Sequence, residues 1–239
     1  SHPLRYDLLP SLFFINVIIL STFKSMKYKH IIWDWNGTLL NDTALCVKML
    51  NNSLDKRGLE KISIDDYRKK FLFPIKTFYE SVGFDFSNEA FEITNKEFHD
   101  GFEKNFKKLA LQPHAFSTIK KLNSKGITQS ILSATMQAKL DEQVKFFGLD
   151  IYLDNIVGLS NTPSGFGKEF EGKELLSSVD ISKKETIIIG DSMLDYSVSN
   201  ALNIDCGLVY NGHNSMERLA ATGSKTFSNI ESLSKWIIQ

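Results

Sequence analysis

The chain has 239 residues, 42% of them hydrophobic and 23% charged, enough to bury a sizeable core in one large α/β domain or in a core with a smaller inserted domain. Lys and Arg number 28 and so do Asp and Glu, which leaves no basic excess of the kind that nucleic-acid binding needs. Two cysteines, Cys46 and Cys206, exclude a disulfide framework and lack metal-ligand spacing, so both read as free thiols of a reducing, cytoplasmic setting.

The first residues look foreign to the rest. The run from Leu12 to Leu20 is apolar but shorter than the roughly 20 residues that a membrane-spanning helix needs, and no small-residue cleavage site follows it. Residues 1–26 are therefore read as an N-terminal extension, with a working chain that begins near Met26 and no membrane partner. A signal or membrane-surface role is the other reading of this run.

From Lys27 short apolar runs alternate with helical stretches, the mark of βα units around a parallel sheet. A first strand is expected at Tyr28 to Trp33. Asn41 or Asp42 can cap a helix carrying Val47, Leu50 and Leu54, which Gly58 ends. From about Ile64 to Leu109 the pattern is wholly helical. Phe91, Asn95, Phe98, Phe102 and Phe106 trace a mostly aromatic stripe there, which is expected to pack a core rather than to line a ligand site.

The alternation resumes after Pro113, which can open a helix running through Phe116, Ile119 and Leu122 to Gly126. A strand at Ile127 to Leu132 and a helix with Leu140, Val144 and Phe147, ended by Gly148, follow. Further strands are expected near Asn155 to Leu159, Glu185 to Ile189 and Cys206 to Val209, and a last helix carries Leu233, Trp236 and Ile237. The fold expected is α/β: a Rossmann-like parallel-sheet core with helices on both faces, formed by residues 27–40 and 109–239, and an inserted α-helical cap domain over 41–108.

Sites in open parallel sheets form beyond the carboxyl ends of the strands. Asp34 follows the first strand in Asp34-Trp35-Asn36-Gly37-Thr38-Leu39, where an exposed carboxylate can act as a covalent nucleophile. Ser133 and Ala134, between a strand and a helix, offer a hydroxyl and backbone N–H groups suited to phosphate oxygens. Lys168, with Lys173 as the alternative, can neutralise an anionic substrate. Asp191 and Asp195, four apart after a buried strand, suit a hard cation such as Mg²⁺.

In this order, with a helical insertion between the first motif and the second, the set resembles the haloacid dehalogenase superfamily, and most of all its phosphoglycolate-phosphatase-like branch with a helical cap. The resemblance covers about residues 27–238 and extends to Phe146-Phe147-Gly148-Leu149-Asp150 and to Ala201-Leu202-Asn203-Ile204-Asp205-Cys206. It implies a Mg²⁺-dependent phosphohydrolase acting on a small phosphorylated metabolite through an aspartyl-phosphate. By position, Asp34 would be nucleophile and metal ligand, and Asn36 would offer its backbone carbonyl to the metal. Ser133 and Ala134 would bind phosphate, Lys168 would bridge phosphate and nucleophile, and Asp191 would ligate the metal with Asp195 holding its shell. In the cap, Arg68 and Lys76 are the candidates for a second anionic group of the substrate, and no role is assigned to His213.

One departure matters. Phosphatases of this superfamily carry a second aspartate two residues after the nucleophile, as general acid and base, and this chain has Asn36 there. Two alternatives follow: a phosphonate-cleaving relative that forms a Schiff base on a cap lysine such as Lys76, or a phosphate-ligand-binding protein without turnover.

Overall fold

A computed structural model describes residues 26–160 and 168–239. The apolar N-terminal run lies outside these residues, as does Ser164 to Gly167 in the Gly-rich stretch before Lys168.

Six parallel strands form one sheet in the order β3-β2-β1-β4-β5-β6: β1 His30–Trp33, β2 Thr128–Met136, β3 Asn155–Leu159, β4 Thr186–Gly190, β5 Asp205–Val209 and β6 Lys225–Phe227. The central strands are continuous apolar runs because helices cover both faces. Successive side chains of a strand point to opposite faces. Ile31 and Trp33 of β1 therefore join one core with Ile187 and Ile189 of β4. Ile32 and Ile188 join the other, with Leu132, Leu175, Val198 and Leu202.

Between Leu40 and Leu111 the chain forms four helices: α1 Thr43–Lys56, α2 Ile64–Lys70, α3 Ile75–Ser81 and α4 Phe91–Phe106. The single helical stretch expected from 64 to 109 is thus broken twice, around Pro74 and at Gly83, whose φ of 108° a side chain rarely adopts. The two passages of chain between sheet and helices are stitched by an antiparallel bridge from Leu40 to Leu111. The rest of the helices are α5 Ala115–Ser124, α6 Gln137–Phe146, α7 Glu169–Ser178, α8 Met193–Leu202, α9 Met216–Ala220 and α10 Ile230–Ile238. Helix α5 starts later than expected: His114, with φ 67°, holds the N-cap position after Pro113.

Four elements were not foreseen: α7, α8, α9 and β6. Helix α7 is polar in most of its ten residues, and β6, with three residues, is too short for any period to emerge. Strand β2 runs four residues past its expected end, and its register against β3 shifts between Leu132 and Met136.

Truncating Ile188, fully buried in the sheet, to Ala should cost about 2–5 kcal/mol. Phe170→Ala, at a side chain 62% exposed, should stay within about 0.5 kcal/mol; urea unfolding of the two variants checks both.

Candidate active site

The chain fills one side of the sheet with β2 and β3 and then crosses to β4 on the other side of β1, so the switch of direction falls between β1 and β4. Ligand sites form outside such a point. Asp34 leaves β1 there, its N–H donating to the Ile189 carbonyl of β4 at 2.8 Å, and Asp191 leaves β4 beside it.

Lys168 joins the ends of these strands. It is fully buried at the start of α7. Its Nζ donates to Asp34 Oδ1, to Asp195 Oδ1 at 2.7 Å and to the Leu132 carbonyl of β2 at 2.9 Å. Lys173, the alternative, is exposed and paired with Glu169 one helical turn away at 2.6 Å. Burial alone would lower the Lys168 pKa, but the carboxylates of Asp195 and Asp34 outweigh it and raise it.

The carboxylates differ in what they have left to offer. Asp195 Oδ2 accepts from the N–H of Asp191 at 3.2 Å, the N–H of Ser192 at 3.0 Å and the Ser192 hydroxyl at 2.6 Å. With Lys168 on its other oxygen, it is saturated and builds the turn that opens α8. Asp191 accepts from the Thr38 hydroxyl at 2.8 Å on one oxygen and from the His213 N–H on the other. Among the described residues Asp34 carries only side-chain bonds from Lys168 and, longer at 3.3 Å, from Thr38. It is 8% exposed, where Asp191 and Asp195 are wholly buried.

Burial raises the Asp34 pKa well above the usual carboxylate range, and the nearby Asp195 charge adds to this. Burial likewise lifts Asp191 to about 6, against the His213 charge, which lowers it. Oxygens of Asp34, Asp191 and Asp195 all lie within 4.8 Å of one another. Three buried carboxylates facing one ammonium leave surplus negative charge on oxygen donors, a set that fits a hard divalent cation.

Asn36 is clamped at both ends. Its amide NH₂ donates to Asp42 Oδ2 at 2.7 Å, and its oxygen accepts from the Thr135 hydroxyl at 2.7 Å. Asp42 stands at the N-cap position of α1, yet its side chain caps nothing. It accepts instead from Asn36, from the Gly37 N–H at 2.8 Å and from Cys46 Sγ at 3.6 Å, and it pairs with His213 Nε2 at 3.3 Å. Gly37 has φ 78°, and a Cβ on it would fall 2.4 Å from Asp191 Oδ2 and 2.6 Å from the His213 ring.

His213 and Asp42 are the residues the sequence reading missed. His213 is 6% exposed, with Tyr67 of α2 on Nδ1 at 2.9 Å and Asp42 on Nε2. Burial works against its charge, but the carboxylates of Asp42, Asp191 and Asp34 prevail and raise its pKa to about 9. Nothing in Tyr210-Asn211-Gly212-His213-Asn214 marks this role; the signal was Asp42, which looks like an ordinary cap.

The other expected site residues divide. Ser133 is buried, and its hydroxyl accepts the Thr135 N–H at 3.1 Å, while Ala134 and Thr135 line a cavity of about 340 Å³ together with Asp34, Asn36 and Asp191. Arg68 does not line it: the guanidinium donates to the carbonyls of Gly212 at 2.9 Å and Asn211 at 3.2 Å. Lys76 does not line it either, since its ammonium lies over the Phe86 ring, 5.8 Å from the centroid. The aromatic stripe of α4, expected to serve only packing, turns Asn95, Phe98 and Phe102 to the cavity.

A family model for haloacid dehalogenase-like hydrolases matches residues 31–209. A relative in Caldanaerobacter subterraneus subsp. tengcongensis, whose name is that of a pyrophosphatase, PpaX, is 23% identical over 171 residues, 71% of this chain and 76% of its own. Among solved structures, one described as a predicted phosphatase from Clostridium acetobutylicum superposes with a TM-score of 0.74 at 22% identity, covering 88% of this chain and 98% of its own. Another, described as a predicted phosphoglycolate phosphatase from Haemophilus somnus, gives 0.73 at 16% identity, with 89% and 99% covered. At these identities the solved structures speak for the fold.

A carboxyl whose pKa is raised by folding binds its proton more tightly in the folded state, so its contribution falls as pH rises from the unfolded value, 3.8, towards about 6 for Asp191. In metal-chelated protein, the stability measured by urea unfolding should decline across that window. Asp191→Asn should flatten the decline, and an unchanged slope would remove Asp191 as its source.

Proposed function

The chain belongs to the haloacid dehalogenase-like hydrolases, and from that premise we propose that it is a divalent-metal-dependent phosphohydrolase that transfers the phosphoryl group of a small phosphorylated substrate to Asp34. One observation carries the choice of nucleophile: of the three clustered carboxylates, Asp34 alone retains exposure, and it lines the cavity beside Asp191.

Asp34 and Asp191, with the Asn36 carbonyl, would hold the cation, and Asp195 would keep Lys168 and the 191–192 turn in place. When bound, a Mg²⁺ ion supplies charge neutralisation for the transferring phosphoryl oxygens. Lys168 shares that work on the protein side and favours the ionised form of Asp34, against the burial that raises its pKa. Phosphoryl oxygens would be met towards the end of β2 by the Ser133 hydroxyl and the Ala134 N–H. The helices over 41–108 would serve as a cap that screens the site from water, over a core of 27–40 and 109–239.

The step most affected by this sequence is proton transfer. Asn36 has no proton to exchange, and its amide is committed to Asp42 and Thr135. Loss of a general acid–base costs about 10²–10⁴ in rate. Nucleophilic attack needs no such group, so the chain is a hydrolase that depends on its leaving group. Phosphonate cleavage through a cap lysine finds no support at Lys76, which is engaged with Phe86 outside the cavity.

Phosphate release from an aryl phosphate should require Mg²⁺ and fall to background in Asp34→Asn, while Asp191→Asn should raise the Mg²⁺ needed. Undiminished release in Asp34→Asn would sink the nucleophile; no release from the native chain would leave a phosphate-binding protein.

A second test concerns Asn36. In Asn36→Asp alone, two carboxylates would meet where the 2.7 Å amide bond to Asp42 now lies, so they would share a proton. The exchange Asn36→Asp/Asp42→Asn keeps an amide–carboxylate pair and should accelerate turnover of poor leaving groups more than the single variant, by up to about 10²–10⁴. Steady-state rates with an alkyl phosphate decide between them.

A further inference from the structure

The cavity in front of Asp34 has walls of two kinds. The floor is the polar cluster just described. The helices α2 to α4 and the turn between α2 and α3 supply Tyr67, Phe71, Phe73, Phe78, Tyr79 and Phe98. Phe71 sits among them edge to face with Phe78 at 5.3 Å and Phe73 at 5.6 Å and stacked on Tyr67 at 5.1 Å.

The cations on the described lining are already engaged. Lys139 is paired with Glu103 at 3.0 Å and with Glu142 at 3.5 Å. His213 is paired with Asp42, and burial lowers the His99 pKa and keeps that ring neutral. A leaving group carrying its own carboxylate or phosphate would lose hydration here without gaining an ion partner among these residues. A ring would gain by burial against the aromatic wall.

We propose that the substrate is an aryl phosphate: a phosphate monoester whose leaving group is an aromatic ring bearing the ester oxygen. This rests on the hydrolase reading above, and a second observation agrees with the shape of the cavity. With Asn36 locked between Asp42 and Thr135, the leaving oxygen must depart without a proton from that position. A phenolic oxygen does so readily, its pKa being about 10.

In the step, an Asp34 carboxylate oxygen bonds to phosphorus as the phosphorus–oxygen bond to the ring breaks. The electron pair of that bond leaves on the aryloxide, which takes its proton from solvent. Water then attacks phosphorus, the bond to Asp34 breaks, the carboxylate is restored and both water protons go with the phosphate as dihydrogen phosphate.

The test separates recognition from turnover. Calorimetric titration of the full chain in Mg²⁺ compares phenylphosphonate with phosphonoacetate, neither of which offers an ester bond to cleave. Phenylphosphonate should bind at least about tenfold more tightly, and Phe98→Ala should narrow that ratio; phosphonoacetate binding as well or better would overturn the proposal. Phosphate release is then compared for phenyl phosphate, benzyl phosphate, phosphoglycolate and pyrophosphate. Phenyl phosphate should lead, and it should exceed benzyl phosphate by at least about 10²-fold, because benzyl alcohol departs poorly as the alkoxide. Faster release from pyrophosphate or phosphoglycolate would overturn the proposal. A preference for phenylphosphonate with no release from any ester would support the aromatic ligand and overturn the hydrolase reading instead.

Discussion

A buried ammonium without partners is too costly to keep, and the whole site is organised around meeting that cost at Lys168. Its three acceptors come from the end of β1, the middle of β2 and the first turn of α8. None of these segments is near another in sequence, so the ammonium ties the end of β1, the middle of β2 and the start of α8 to one another. Asp195 completes the arrangement by tying the same ammonium to the backbone of the turn after β4. Charge balance then decides the rest. Burial lifts the Asp34 and Asp191 pKa values, the Asp195 charge adds to both, and Lys168 and His213 oppose the rise without cancelling it.

Much of the sheet was legible because its strands are short apolar runs bounded by turn residues, and the order of the motifs located their carboxyl ends. Asp34, Asp191, Asp195 and Lys168 come together for that reason. Most of what stayed hidden had little periodic signal. Strand β6 has three residues, α7 is polar in most of its ten, and α9 is a single turn and a half. The helical insertion was recognised as helical but not as broken, since its interruptions lie at Pro74 and Gly83 inside an otherwise continuous pattern.

The site was less legible than the fold where residues act through distant partners. Asp42 looks like a helix cap and sits at a cap position, but its carboxylate turns inward to Asn36, Gly37 and His213. His213 lies in a loop with nothing to mark it, and its importance comes from a contact 146 residues away, to Tyr67. Arg68 and Lys76 were read as anion anchors from charge alone. Their actual partners, two loop carbonyls and one ring, depend on packing that no spacing rule encodes. The stripe of α4 carries a related lesson: near-helical aromatic spacing identifies a buried face without saying whether the face meets protein or a cavity.

The loop from Tyr210 to Asn214 ties the two halves of the molecule in an unexpected way. Arg68 grips its carbonyls, Asn214 donates to the Phe71 carbonyl at 2.9 Å, and Tyr67 holds the His213 ring. The same His213 gives its backbone N–H to Asp191. Helix α2 therefore cannot swing away from the sheet without pulling on the residue that fixes a carboxylate of the ion cluster. The consequence is mechanical: any displacement of α2 is handed through one loop to the oxygen of Asp191, so the helical insertion and the carboxylate cluster move as one piece.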